Sequence, residues 1–210
     1  MKPTDDGTRH RIINAAGEVF AQHGFEKGTI RDIVSLAEVN LAAVNYHFGD
    51  KWGLYQATVR YGHELAGEEV PLPSWEPDTP ADIRFRDFVR TMLQRVLVTK
   101  KHAWHSRLMM RELIQPTDAG TEVVREFVRP MHQLLLSILD ELLPPETPQH
   151  RRDQTAFSLI GQCLFYKIAA PVVMGLVSEE EFETHFTQSE LADHIADVML
   201  AAMGHRKPIP

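Results

Sequence analysis

Several side chains between residues 29 and 51 have the chemistry needed to contact DNA. Asn45 can form two hydrogen bonds with an adenine edge, and the small side chains of Ala42 and Ala43 permit close approach to a thymine methyl group. Other side chains suit the phosphate backbone because they carry a hydroxyl, an imidazole or a cationic group. These are Thr29, Arg31, Tyr46, His47 and Lys51. The spacing predicts a short helix, capped by Asn40, whose outward face reads base pairs.

The segments that hold these residues have the periodicity of helices. From residue 8 to residue 23 apolar side chains recur at helical spacing, and Gly24 supplies a left-handed stop. Thr29 can cap a short second helix, and Asn40 can cap a third. The inner side of the third helix is predicted to carry Leu41, Val44 and Phe48. A helix followed by two short helices and a tight turn is the unit that lays its last helix in a DNA major groove.

Four stretches of this segment match a known family in fixed order. They are residues 8–16 (TRHRIINAA), 20–25 (FAQHGF), 29–33 (TIRDI) and 44–51 (VNYHFGDK). Over about residues 8–60 the chain resembles the N-terminal domain of TetR-family transcriptional repressors. The resemblance implies that Tyr46, His47 and Lys51 touch the DNA backbone. The sequence departs from the family pattern at Asn45, where relatives often have tyrosine, and at Glu38, where the turn usually has glycine.

The whole chain reads as helical, because no run of strict alternation bounded by hairpin turns occurs. We predict an all-α fold with a three-helix, helix-turn-helix DNA-binding domain at residues 1–53 and a larger helical domain at residues 54–210. Its helices are expected from Lys51 to about residue 70, then at 79–100, 103–115, 120–143, 147–175 and 189–204, with a kink at Pro130. The resemblance implies that this larger domain binds a ligand and forms the dimer.

The last two predicted helices carry apolar stripes that two subunits could bury as a four-helix interface. The stripe of the first comprises Phe157, Ile160, Leu164, Ile168 and Val172, and that of the second comprises Leu191, Ile195, Val198, Met199 and Ala202. A two-fold dimer would place two recognition helices on successive turns of a palindromic operator. The sequence therefore predicts a homodimer.

Most aromatic and methionine side chains of the larger domain have the spacing of a core, yet pockets between helices of a bundle are common. A ligand site is predicted near Trp104, Leu108, Phe127 and Tyr166. Arg107 and Arg111 lie one helical turn apart and could bind an anionic ligand. Alternatively these two arginines lie on a solvated face, paired with Glu112 or Asp87.

Charge and composition limit the remaining classes of function. The chain has a net charge of −7, and residues 1–53 hold six basic and seven acidic residues, so DNA affinity must come from local placement of cations and be sensitive to salt. The longest uncharged apolar run, residues 168–177, is too short to span a membrane. An acidic start and a single cysteine, Cys163, argue against export. We therefore expect a cytoplasmic protein without membrane contact.

The sequence also leaves an enzymatic alternative open. His102 and His105 are spaced like two ligands on one helical face, and Glu112 could complete the set of an all-α metal-dependent enzyme. No Glu-x-x-His, Gly-rich phosphate loop or Gly-x-Ser-x-Gly motif accompanies them. We therefore expect a regulator that is not an enzyme and needs no cofactor. It would bind double-stranded operator DNA as a repressor and be released by a small-molecule effector.

Overall fold

A computed structural model describes residues 5–97 and 103–205, and every regular element within them is helical. The helices are α1 (Asp5–Lys27), α2 (Ile30–Ala37), α3 (Leu41–Phe48), α4 (Lys51–Glu69), α5 (Ala81–Leu97), α6 (Ala103–Ile114), α7 (Asp118–Val123), α8 (Arg129–Leu142), α9 (Gln149–Ile168), α10 (Ala170–Leu176), α11 (Glu179–His185) and α12 (Gln188–Ala202). A π-helical turn, Val124–Val128, joins α7 to α8. The predicted all-α fold class is confirmed.

The chain divides into two compact units. Of the described residues, 5–69 and 103–128 form the first unit, and 70–97 and 129–205 form the second. The first therefore contains α1–α4, α6 and α7, and the second contains α5 and α8–α12. The sequence predicts a DNA-binding domain at residues 1–53 and a larger domain from residue 54, and this boundary differs from those of the two compact units. The assignment of functions to these two domains stays a prediction.

The first unit is built around α1, which packs against α2, α4 and α6. Its core contains Ile12, Ile13, Phe20, Ile33, Val44, Leu54, Tyr55, Trp104 and Leu108, all at most 2% exposed. Close packing of α6 on α1 depends on Gly17, where an added Cβ would lie 2.3 Å from the Trp104 ring. Removing these large apolar side chains from water is the main term that holds the unit together.

In the second unit α5 packs against α8, α9 and α12. Its core contains Phe85, Phe88, Leu93, Leu135, Ile138, Leu159, Leu191 and Ile195. Cys163 also lies in this core, and burial raises the pKa of its thiol to about 12, so the thiol stays protonated at neutral pH.

Two long helices predicted from the sequence, at residues 120–143 and 147–175, are each divided in the structure. Residues 147–175 form two helices, because α9 ends at Ile168 and α10 leaves it at an angle of 74°. Pro171 lies in the first turn of α10, where its missing N–H costs nothing. Likewise residues 120–143 are divided by the π-helical turn, and Pro130 lies at the start of α8 and not inside a continuous helix. The structure also contains α11, for which the sequence predicted no helix.

Three of the five residues in the predicted apolar stripe of the last helix are not available to a partner subunit, whereas Val198 is half-buried and Ala202 is exposed. Leu191, Ile195 and Met199 of α12 lie in the core of their own unit, at 5%, 1% and 6% exposure. On α9 and α10, by contrast, Phe157, Ile168 and Val172 are more than half exposed. Among the described helices none alone has the length and apolarity to cross a membrane, and only the bent pair α9 and α10 reaches them jointly.

Candidate nucleic-acid interface

The end of α1 and the start of α4 form an aromatic support for the helix-turn-helix. Gly24, with φ of 75°, interrupts α1 at the position where the sequence predicts a stop. The chain can then bring Phe25 against Trp52 and Tyr55, with ring centroids 5.1 Å apart in both pairs. These contacts fix the start of α4 relative to α1, and α3 leads directly into α4.

Both short helices begin with the caps that the sequence predicts. The hydroxyl oxygen of Thr29 accepts a hydrogen bond from Asp32 N at 3.1 Å, and Asn40 Oδ1 accepts one from Ala43 N at 2.9 Å. Between them, α2 ends at Ala37, and Glu38 follows it with a φ of 53°. A left-handed conformation is strained for a residue with a Cβ, because the Cβ approaches its own carbonyl oxygen. The departure from glycine at this position therefore has a structural cost.

The exposed face of α3 is small and polar with one apolar residue. Val44 is buried and Phe48 is half-buried, as expected, whereas Ala42, Asn45 and Tyr46 face solvent. Tyr46 is 74% exposed, and its ring contacts that of half-buried His47 at 5.0 Å. Leu41 was predicted to face inward, but it is 55% exposed because the first residue of α3 projects beyond the packed side. Leu41 therefore joins the surface that could meet bases.

The cations of this region are held in place by their own neighbours. Lys51 Nζ donates a hydrogen bond to the Glu26 carbonyl oxygen at 3.1 Å and lies 4.6 Å from the centroid of the Phe25 ring. The Arg9 guanidinium lies 5.6 Å from the Phe48 ring centroid at the end of α3. Arg31 is exposed on α2. Cation–π contact and a carbonyl acceptor leave the charges available to an anion.

Glu112, predicted from the sequence as a possible metal ligand or arginine partner, is a buried carboxylate of the first unit. Glu112 is 8% exposed and accepts hydrogen bonds from the Tyr55 hydroxyl and from the backbone N–H and hydroxyl of Thr117. Burial, and next the hydrogen bond to Glu112, raise the pKa of Tyr55 far above its ordinary value. Tyr55 lies 57 residues from Glu112 in the sequence, so the local sequence pattern does not indicate this pair. Glu112, on α6, therefore links this helix by hydrogen bonds to α4 and to the start of α7.

The proposed metal set of His102, His105 and Glu112 gains no support. Within residues 5–97 and 103–205 no three metal-binding side chains converge, and His102 lies outside those ranges. His105 is 4% exposed, and Glu112 is engaged by Tyr55 and Thr117. Arg107 pairs with Glu18 at 2.8 Å, not with Glu112 or Asp87, and Arg111 donates to the His23 carbonyl at 3.5 Å.

The predicted ligand residues fall in both units. Trp104 and Leu108 are core residues of the first unit, and Phe127 there stacks on His63 at 5.5 Å. Tyr166 belongs to the second unit, where its ring contacts those of Phe165 and Phe186. A cleft of about 300 Å³ lies in the first unit between α4 and α7, and the sequence analysis missed it. Its lining includes Gln56, Ala57, Arg60, Glu122 and Glu126.

Comparison with known proteins covers most of the chain. Residues 12–58 match the family of bacterial regulatory proteins of the tetR family, and residues 81–203 match the C-terminal domain of the HTH-type transcriptional dual regulator CecR. CecR of Shigella flexneri is 24% identical over 94% of this chain and 93% of its own length. The HTH-type transcriptional repressor AcnR of Corynebacterium glutamicum is 37% identical over 28% of this chain and 30% of its own.

Solved structures share the fold. A TetR-like transcriptional regulator from Rhodococcus sp. RHA1 superposes with a TM-score of 0.69 at 18% identity, covering 98% of this chain and 100% of that one. The matched region at residues 12–58 contains α2 and α3, with the exposed face described above.

Proposed function

Because the chain belongs to the TetR family of transcriptional regulators, which are not enzymes, we propose that it is a repressor that binds a palindromic operator through α3 and is released by a small molecule. DNA binding of this kind implies a cytoplasmic location. The observation that carries the proposal is the exposed face of α3, on a helix whose start is fixed by the Asn40 cap. A rigid helix presenting a few polar side chains is what base readout requires.

We assign base contacts to the α3 face and phosphate contacts to its surroundings. Asn45 would pair with an adenine, while Leu41, Ala42 and Ala43 would contact bases or thymine methyl groups. Phosphates would be bound by the side chains that flank this face. These are Thr29, Arg31, Tyr46, His47 and Lys51, with Asn40 holding the start of the helix.

We propose that the dimer forms through α9, whose exposed apolar residues are Phe157, Phe165 and Ile168. Gly161 lies between them, and a Cβ there would meet nothing within 4 Å, so a partner helix could approach closely at this point. Burying such a stripe against its two-fold copy removes a large apolar surface from water. Leu191, Ile195 and Met199 of the α12 stripe are already buried in their own unit, so we assign the dimer contact to α9.

We propose that the effector acts through α4. This helix begins at Lys51 beside α3 and forms one wall of the cleft that contains Arg60 and Glu126. A ligand lowers operator affinity only if it binds better to the arrangement that DNA does not select. The residues earlier predicted to bind ligand, which are Trp104, Arg107, Leu108, Arg111, Phe127 and Tyr166, stay a prediction.

A selection from random duplex DNA with the full-length protein tests the proposal. We expect an enriched palindrome with half-sites about one helical turn apart, roughly 34–36 Å, or a multiple of that. Asn45→Ala should relax preference at one base pair in each half-site at a cost of about 1–3 kcal/mol. Lys51→Ala should weaken all sequences alike and reduce the dependence of affinity on salt.

The matched control is Gln115→Ala, which removes an exposed polar side chain at the end of α6 and should change nothing. If no sequence is enriched, the protein is not a sequence-specific repressor. If Asn45→Ala behaves like the control, the base contact assigned to Asn45 is wrong.

A further inference from the structure

A groove in the first unit is lined by residues that are assigned no DNA contact, and Trp104 is the one lining residue that the sequence also predicts at the ligand site. It is an open groove of about 390 Å³ on the surface, bounded by α1, the end of α2 and the start of α6. The residues that matter in its lining are Arg11, Asn14, Glu18, Leu36, Glu38 and Trp104. Small-molecule sites commonly enclose about 300–1,000 Å³, so the groove is large enough for a compact ligand.

The groove offers one free charge of each sign. Glu18 is occupied by its ion pair with Arg107. Arg11 and Glu38, by contrast, form no ion pair with any residue in the parts of the chain that the structure describes, and both are exposed. Arg11 lies on α1 and Glu38 follows α2, so the two charges come from different elements of the lining. A ligand carrying both charges would complement this lining better than a simple cation or anion.

The backbone conformation of Glu38 also indicates that this residue of the groove has a functional role. Among the residues described, it is the one non-glycine residue with positive φ. Glycine would adopt this conformation without the strain that a Cβ brings. Glutamate at this position instead provides the carboxylate of the groove, and strain of this kind is often retained where the side chain has a role.

We propose that this groove binds a free α-amino acid with an apolar side chain. The ammonium group donates a hydrogen bond to the Glu38 carboxylate, which is exposed. The ligand carboxylate accepts from the Arg11 guanidinium, which can form two parallel hydrogen bonds with it. The apolar side chain lies against Leu36, which is 57% exposed. This is a second ligand site, separate from the α4–α7 cleft.

Isothermal titration calorimetry of the full-length protein with L-leucine tests the site and the class of ligand. Isopentylamine lacks the carboxylate of leucine and 4-methylpentanoate lacks its ammonium group, so each keeps one charge and the same side chain. L-leucine or L-phenylalanine is expected to bind, and each single-charge analogue of leucine should bind about tenfold more weakly or worse.

Three variants locate the binding. Arg11→Gln and Glu38→Gln should each weaken amino-acid binding by about tenfold or more. Glu38→Gly should weaken it equally while leaving the protein at least as stable, because glycine relieves the strain at φ 53°. That variant separates loss of a ligand contact from loss of the fold. Arg125→Gln, at an exposed arginine of the π-helical turn, is the matched control and should bind as the wild type does.

The proposal is overturned if neither amino acid binds at millimolar concentration, if the amine binds as tightly as leucine, or if the variants bind as the control does. None of these results depends on DNA. Operator binding by the same variants is expected to persist without ligand, because none of the groove residues is assigned a DNA contact. Failure of the groove and failure of the repressor proposal are therefore distinguishable.

Discussion

The hydrogen bond between Tyr55 and Glu112 should make a measurable contribution to the stability of the first unit. Tyr55 is 1% exposed, and its hydroxyl donates to a carboxylate that is itself buried. A hydrogen bond to a charged group contributes about 1.5–3 kcal/mol. Tyr55→Phe keeps the ring and its contacts with Phe20, Phe25 and Trp52, so no cavity forms. We therefore expect the free energy of unfolding to fall by about 1.5–3 kcal/mol.

A double-mutant cycle assigns this loss to the pair. Glu112→Gln keeps the shape of the side chain and an oxygen for the Thr117 donors, but it removes the charge. If the two groups act on each other, the double variant should lose less than the sum of the single losses, with a coupling of about 0.5–3 kcal/mol. Urea unfolding followed by circular dichroism measures all four free energies at one pH.

The control is Tyr61→Phe on the same helix, whose hydroxyl makes no hydrogen bond with another residue in the described parts of the chain. It should change the free energy of unfolding by no more than about 0.5 kcal/mol. A Tyr55→Phe loss equal to that of Tyr61→Phe, or strict additivity in the cycle, would refute the argument that Glu112 fastens α4 to α6.

Three further outcomes are expected. Because the pKa of Tyr55 is raised in the folded state, its contribution is present below pH about 10 and lost at higher pH, so Tyr55→Phe should show a shallower alkaline loss of stability than the wild type. Gly17→Ala should destabilise by about 1–3 kcal/mol through collision with Trp104, whereas Gly67→Ala, where a Cβ meets nothing, should stabilise slightly in the same urea titration. Ile168→Glu should yield monomers in light scattering, and the control Ile114→Glu, at an isoleucine that is also more than half exposed, should not.

The local signals of the sequence predicted the helix-turn-helix well. Caps, stops and periodicity are properties of neighbouring residues, so Gly24, Thr29 and Asn40 could be assigned without the rest of the fold. The outward position of Leu41 could not, because the first residue of a short helix is positioned by the turn before it as much as by the helical repeat.

Features that depend on distant residues were beyond the sequence. Glu112 has a helical position and a charge, but its partner Tyr55 lies 57 residues away, so a metal ligand and a buried structural carboxylate looked alike. The apolar run through Ala169 hid the bend between α9 and α10, since continuous hydrophobicity favours one long helix even where Pro171 follows. The α12 stripe could equally have faced a partner subunit or its own core. Only packing decides between these cases.

The charge of the first 53 residues raises the question of how a net −1 segment could bind DNA, and the placement of its cations suggests an answer. Lys51 is already held by the Glu26 carbonyl and the Phe25 ring, and Arg9 lies over Phe48. Side chains ordered before binding lose less entropy when a phosphate arrives. A few positioned cations, doubled by a two-fold dimer, can then replace a broad basic surface. Such an interface would release few counterions, so its affinity would depend on salt less steeply than that of a strongly basic protein and more on the neutral face of α3.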